Sequence, residues 1–467
     1  MGFLKRFVIL AVAVSIIFIQ SSDVYAALVA KNLRYSDSAD KIRIVVDLNE
    51  DFAFEKMEDF GRRIEVRLGK GKLDKNIKDL VLTNKLVRQA KFFIVDKDQL
   101  LLDIILNEEA AYKAFLLKEP SRLVVDIEKE YDIKEGRVIE PGLEYYTRRQ
   151  MTASRKLKAY WIFVDTKKFE VRPVLAKNAI LSRERLKNIV QQSNAIAAVN
   201  ASYFAREGWV IGNLKIDGEI LGFEETMRSA FLVYPDRKSE MALLNYIGEV
   251  ILPDSTKLDV KGVNRVRGND DLVIFQSKFA QQTKTNQFGY EITVDNSGKI
   301  KEINPWGNSM VRQGEYVISA HGSMAEPLYP LKIGEKIVLK QTLGEKGDKA
   351  VHLLGAGPML LENKKIVVYN NYEQFLPDIM NGRAPRTAVG IDAKGRVLLF
   401  VADGRSVSSS GLSLAELAQE LLALGVTDAI NLDGGGSSEM VIGDVIVNQP
   451  SDKQERQITV ALGVFER

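Results

Sequence analysis

The chain has 467 residues, 46% hydrophobic and 27% charged, with 34 Gly, 12 Pro and no Cys, enough for two to four domains at roughly 100–200 residues each. Its 65 Lys and Arg against 62 Asp and Glu leave a formal charge of +3, which gives no electrostatic case for a nucleic-acid partner. The lack of Cys excludes disulfides, thiolate zinc sites, iron–sulfur clusters and cysteine nucleophiles, and only His321 and His352 supply imidazole, so Asp, Glu, Arg, Ser, Asn and Tyr must carry any chemistry.

In chain order, Lys5 and Arg6 precede an apolar run from Phe7 to Ile19, and Val24-Tyr25-Ala26 follows. This is the layout of a secretory signal peptide over residues 1–26; an uncleaved N-terminal anchor is the other reading. Either expectation puts the rest of the chain in a periplasm, a cell wall or the extracellular space. No other stretch is long and apolar enough to span a bilayer, which takes about 20 residues.

Residues 27–130 read as a small all-β, sandwich-like domain. Ile42, Ile44 and Val46 alternate with Lys41, Arg43 and Val45, and Ile64, Val66 and Leu68 with Arg63, Glu65 and Arg67, the period of half-buried strands. The closing phrase from Glu119 to Ile127 resembles the end of AMIN-type domains, and that resemblance implies contact with peptidoglycan or another wall glycan; any other all-β envelope module is the alternative. Residues 131–138 read as a charged linker. Residues 139–467 read as one catalytic domain of α+β or mixed α/β class, with mixed β-sheets and flanking helices. Within it, Ser182 is placed to cap a helix to about Gln192, followed by a strand over Ala195 to Val199.

The densest signals lie near the C-terminus. The apolar run Val397 to Val401 ends in Ala402-Asp403-Gly404-Arg405, and Ser413 with Glu416 predicts a capping box opening a helix whose Leu414, Leu417, Leu421 and Leu424 share a face. Ala429-Ile430-Asn431-Leu432-Asp433 then runs into Gly434-Gly435-Gly436-Ser437-Ser438. The simplest topology is a β–loop–α–β unit with its two strands parallel. Asp403 and Asp433, each ending a strand, then share one sheet edge, about 5 Å apart on neighbouring strands or about 10 Å with a strand between. Those separations bracket retaining and inverting glycosidases. The triple glycine lacks the Lys of a phosphate loop, yet its N–H groups and the two Ser hydroxyls suit a phosphate or a sugar hydroxyl. Arg386 and Arg405 can hold a phosphodiester through paired charge-assisted bonds.

Arg386-Thr387-Ala388, Asp403-Gly404-Arg405, Ser410-Gly411 with its leucine-rich helix, and Asn431 to Ser438 resemble the phosphodiester glycosidase family. The similarity continues through Asn448, Pro450-Ser451-Asp452, Glu455-Arg456 and Ala461-Leu462-Gly463. Upstream, Ala198 to Phe204, Asn264-Arg265, Thr283 to Thr285 with Glu291, and Gly355 to Pro358 follow in order, so the resemblance covers residues 139–467. Ala201 and Ala356 stand where the family has Gly.

The resemblance implies a secreted hydrolase cleaving sugar-1-phosphodiester, or related glycosidic, bonds in envelope or exopolysaccharide glycans. On it, Asp433 is the candidate general acid/base or stabiliser of an oxocarbenium-like transition state, with Asp403 and Glu291 as the other catalytic carboxylates. Arg386 and Arg405, with Thr387, would hold the phosphate. Gly434, Gly435, Gly436, Ser437 and Ser438 would orient it, and Asn200 and Tyr203 would contact the sugar. His321 is either an auxiliary proton donor or an ordinary turn residue, and His352 is structural. No cofactor and no metal ligand set is expected, although the three carboxylates could hold a hard divalent cation. Two other functions fit the same residues: a non-catalytic glycan-binding or structural protein of the envelope, and a metal-dependent phosphodiesterase.

Overall fold

The computed structural model describes residues 28–467 apart from 52–55, 60, 97, 153, 224–226 and 369–372; the expected signal segment 1–26 lies outside the described residues. The chain divides into two compact units, one up to Lys129 and one from Glu130 to Arg467.

The first unit is a nine-stranded sheet in the order Leu80–Val81, Val87–Val95, Gln99–Leu106, Arg63–Leu73, Leu28–Asp37, Lys41–Leu48, Arg122–Glu128 and Tyr112–Leu117, with Lys56–Asp59 paired to Arg63–Leu73. Alternation along these strands sends Ile42, Ile44, Val46, Ile64, Val66, Leu102, Ile104 and Val125 into one core. Opposed charges zip the other face: Arg43 faces Asp126 across the ladder and binds it at 2.6 Å.

In the second unit the elements that position the site are β1 (Tyr131–Glu140), β2 (Leu143–Met151), β3 (Lys156–Val164), α1 (Leu186–Ser193), β4 (Ala197–Asn200), β5 (Met359–Glu362), β6 (Arg386–Asp392), β7 (Val397–Ala402), α2 (Leu414–Ala423), β8 (Val426–Asn431), β9 (Met440–Ile442) and β10 (Val460–Phe465). An eight-stranded sheet runs β1-β2-β3-β7-β6-β8-β5 and ends on Lys365–Ile366, every neighbouring pair antiparallel. A five-stranded sheet runs Glu170–Leu175, β10, β4, β9 and Val445–Ile446, and another contains Gly289–Asp295 and Glu315–His321.

This corrects the expected α+β or mixed α/β class with flanking helices. The chain is mostly β, 50% strand against 9% helix. The misleading signal was the unbroken apolar run of β7, which normally marks a parallel strand covered by helices on both faces. Here an antiparallel sheet is covered on both faces by different means. Leu398 and Phe400 pack with Leu414, Leu417 and Leu421 of α2, while Leu399 and Val401 pack with Val199 of β4 and Val460 and Leu462 of β10. The two strands taken as a crossover pair do run the same way, but β6 lies between them, antiparallel to each.

Two smaller expectations also change. Residues 131–138, read as a linker, belong to β1, which pairs with β2 from Tyr131↔Met151 to Glu140↔Leu143. An edge strand exposed on most of its length needs few apolar residues, so it resembles a linker in composition. Ser182 caps no helix: α1 starts behind Arg185 without a side-chain cap, whereas α2 carries the expected Ser413–Glu416 capping box. No helix of the described residues is long and apolar enough to cross a membrane.

Candidate active site

The antiparallel register gathers the motif residues. Arg386 at the start of β6 lies opposite Ala402 at the end of β7, and Ala388 lies opposite Asn431 at the end of β8. Arg386, Asp403 and Asp433 therefore meet at one sheet edge, the two aspartates separated by one strand, about 10 Å of backbone. The end of β4 closes on the same edge. The Asp433 N–H donates to the Ala201 carbonyl at 2.9 Å, and the Asn200 side-chain amide donates to the Asp433 carbonyl. Asn200 Oδ1 accepts from Thr387 Oγ1 at 2.7 Å and from the Glu439 N–H at 3.1 Å. Asn200 and Thr387, both buried, thus clamp three segments together rather than facing solvent.

The glycine loop has a steric reason for each of its last two glycines. Gly435 is left-handed at φ +61°, and a Cβ there would lie 3.3 Å from the Arg405 guanidinium. A Cβ on Gly436 would run into Arg456 and Asp452, which form a 2.6 Å ion pair across the loop. Gly435 to Ser437 make one turn of 3-10 helix, and the Gly434 N–H donates to Asp433 Oδ1 at 2.9 Å.

Electrostatically the edge is unbalanced. Arg386 is 3% exposed and donates to the carbonyls of Leu412, Ile379 and Gly382 at 3.0–3.2 Å. It meets no carboxylate among the described residues, and burial, aided by the nearby Arg405 charge, holds its pKa below the usual value. Arg405 is exposed against Gly435. Asp433 is a half-buried residue, and burial of its carboxyl pushes it up to about 6 against the opposing pull of Ser437, Arg456 and the Gly434 N–H. Tyr203 Oη donates to the Gly357 carbonyl at 2.9 Å and accepts from Asn431 Nδ2 at 2.8 Å; burial and then the Asp433 charge raise its pKa. Ser202 Oγ, Ser438 Oγ and Asn431 Oδ1 are buried and meet no partner among the described residues.

Asp403 sits at the same edge but deeper, 2% exposed. It accepts from Tyr160 Oη at 3.2 Å, Asn448 Nδ2 at 3.1 Å and the Gln449 N–H at 3.0 Å. Burial raises it to about 6 in spite of these bonds. Its bonds tie β3, β7 and the 448–449 turn together.

Glu291 and His321 belong elsewhere. Glu291 is fully buried in Gly289–Asp295, where it accepts from Thr283, Thr285 and Ser319 hydroxyls and the Ser309 N–H at 2.7–3.1 Å and lies 3.8 Å from buried Arg267. None of these partners belongs to the Arg386–Asp403–Asp433 edge. His321 ends the adjacent strand, with its N–H on the Asp271 carbonyl. His352 is buried, its Nδ1 accepting the Asp217 N–H, and burial lowers its pKa. Among the described residues no group of three or more His, Asp or Glu is arranged to hold a metal ion.

Residues without an expected role also surround the edge. Asn448, Asp452 and Arg456 fall within the family-like motifs, whereas Tyr160 and buried Glu439 carry no motif signal because single Tyr and Glu residues are common in strands and loops.

With the geometry in place, the comparisons give the class. Residues 288–465 match the phosphodiester glycosidase family model, so the chain carries a phosphodiester glycosidase domain. Human N-acetylglucosamine-1-phosphodiester alpha-N-acetylglucosaminidase is 45% identical over 94 residues, 19% of this chain and 18% of that protein; the chain thus spans less than a fifth of that curated relative. Two solved structures share the fold. One, a hypothetical protein from Synechocystis, has a TM-score of 0.68 at 17% identity over 95% of this chain and 81% of its own. The other, an exported-protein candidate from Burkholderia pseudomallei K96243, has a TM-score of 0.58 at 16% identity over 89% and 97%. The matched segment is narrower than the 139–467 expected. Asn200 and Tyr203 lie outside it and join it through the bonds to Asp433 and Asn431 described above.

Proposed function

We propose that the chain hydrolyses the bond between a sugar C1 and the oxygen of a phosphodiester, in an exported glycan. Water adds its oxygen to C1 and the C1–O bond breaks, releasing a free sugar and a phosphomonoester. The observation that carries this reading is one sheet edge holding the half-buried Asp433 beside two guanidinium groups, Arg386 and Arg405, that meet no carboxylate among the described residues. In this scheme Arg386 and Arg405 hold the phosphate and the Ser438 hydroxyl orients it, the N–H groups of Gly434, Gly435, Ser437 and Ser438 being already bonded within the protein. Ionised Asp433 acts on water or steadies positive charge at C1. A phosphomonoester is a good leaving group without protonation, so a single reacting carboxylate suffices. Asp403 and Asn200 position the loops that carry these groups.

Incubating the chain with aryl sugar-1-phosphodiesters in ¹⁸O-water, with and without chelator, tests it. Label in the sugar with no chelator effect is the expected result. Label in the phosphate, or loss of activity with chelator, would move the assignment to a metal-dependent phosphodiesterase. Polymer binding without product would leave a glycan-binding protein. The export reading and the AMIN-like wall contact of the first unit belong to the same proposal. They are tested by cell fractionation and by co-sedimentation of residues 27–130 with peptidoglycan.

A further inference from the structure

Directly after the glycine loop, Glu439 is held on both sides by Asn200: its N–H donates to Asn200 Oδ1 at 3.1 Å, and its carbonyl accepts the Asn200 N–H at 3.3 Å. Its side chain is buried, at 2% residue exposure, and Oε1 meets no N–H or O–H donor among the described residues. The group it does meet is another carboxyl, that of Glu455, on the segment that leads into β10. Glu455 is fixed in turn by the Lys187 N–H of α1 at 3.4 Å. Two carboxylates in hydrogen-bond contact repel, whereas one shared proton turns the pair into a strong charge-assisted bond.

We propose that Glu439 and Glu455 share one proton, and that this acid–acid bond latches the 450–458 segment onto the catalytic loop. The latch matters because Arg456, the next residue, presses on Gly436 with its partner Asp452 and supplies positive charge to Asp433. The charged residues on the elements packed against the pair are Glu184 beside α1, Lys187 on it, Asp452, Lys453 and Arg456 on the segment itself, and Asp433, bonded through its carbonyl to Asn200. Burial first, and then Glu455, push Glu439 up to about 8. The proton is therefore held at neutral pH and lost above it, and the latch opens as pH rises. Glu439 is a positioning residue, and the inference rests on the hydrolase reading only for its catalytic consequence.

Amide exchange tests the latch without relying on activity. The amides of Lys453 and Ile458 are hydrogen-bonded to the carbonyls of Pro450 and Glu184 and report on the segment. After correction for intrinsic exchange, their protection should fall at least tenfold in the wild type between pH 7 and 9.5. In Glu439→Gln, which keeps a donor toward Glu455, protection should stay level over that range; in Glu439→Ala it should be low throughout. A level wild-type profile, or a Glu439→Gln profile that falls like the wild type, overturns the latch. On an aryl phosphodiester, the wild-type rate should decline near pH 8 and the Glu439→Gln rate should not. No turnover by either protein counts against the hydrolase reading, and the exchange result still decides the latch.

Discussion

Two buried polar clusters of the second unit use similar residues to opposite ends. Around Glu291 both carboxylate oxygens are saturated by three hydroxyls and an N–H, and the nearby cation, Arg267, is itself buried. Around Asp433, itself half-buried, two arginines meet no carboxylate and the hydroxyls of Ser202 and Ser438 meet no partner among the described residues. A cluster that satisfies itself rigidifies the fold, whereas one that leaves donors over is prepared for a ligand. Burial of a charged pair alone does not mark a site.

Substitutions should separate the two clusters cleanly. The largest effect is expected for Asp433→Asn, which should lower kcat/KM by roughly 10²–10⁴-fold with no loss of unfolding midpoint; activity near wild type would remove Asp433 from the chemistry. Glu291→Gln should do the reverse. Leaving Arg267 unmatched in the interior costs about 3–5 kcal/mol, read by denaturant unfolding, while the remaining folded fraction keeps its turnover per molecule. If activity fell at unchanged stability, Glu291 would rejoin the catalytic carboxylates. Arg405→Gln, at an exposed position, should raise KM by about 10–150-fold, the worth of roughly 1.5–3 kcal/mol in a charge-assisted bond, and leave stability unaltered.

The smallest effects are in pH. With Asp433 acting ionised, the rate should rise through about pH 6. Its folded pKa is above the unfolded value of 3.8, so folding takes up protons between those values. The stability due to the bound proton is complete below pH 3.8 and lost as pH rises through about 6. Urea midpoints from pH 4 to 7 should therefore decline less in Asp433→Asn than in the wild type. Equal slopes would mean that another group, such as Asp403, carries the titration.

How much of this was legible differs between the same two clusters. The loop from Asn431 to Ser438 and the Ser413 capping box stand in consecutive residues, and local chemistry explains them. Asp403 and Asp433 could be placed at one edge because each follows an apolar strand and the two strands run the same way, as expected, even with β6 between them. The pairing itself was not readable, because Val397 to Val401 records burial on both faces without saying whether helices or a second sheet do the covering. The surroundings of Glu291 were legible only in part. Thr283 and Thr285 stand with it among the family-like motifs, whereas Ser309 and Ser319 come from another turn and strand, and no spacing rule joins them. Glu439 escaped notice because its interest lies wholly in meeting Glu455, a contact made across the fold.

The last strand of the chain, Val460–Phe465, is not at a margin; it lies inside its sheet, between Glu170–Leu175 and β4. It is the strand that joins β4 to Glu170–Leu175, so without it β4 lacks one of its two neighbours and Asn200, at its end, loses the pairing that holds it toward Asp433. Loss of even the final six-residue strand would open the interior of that sheet rather than trim its edge.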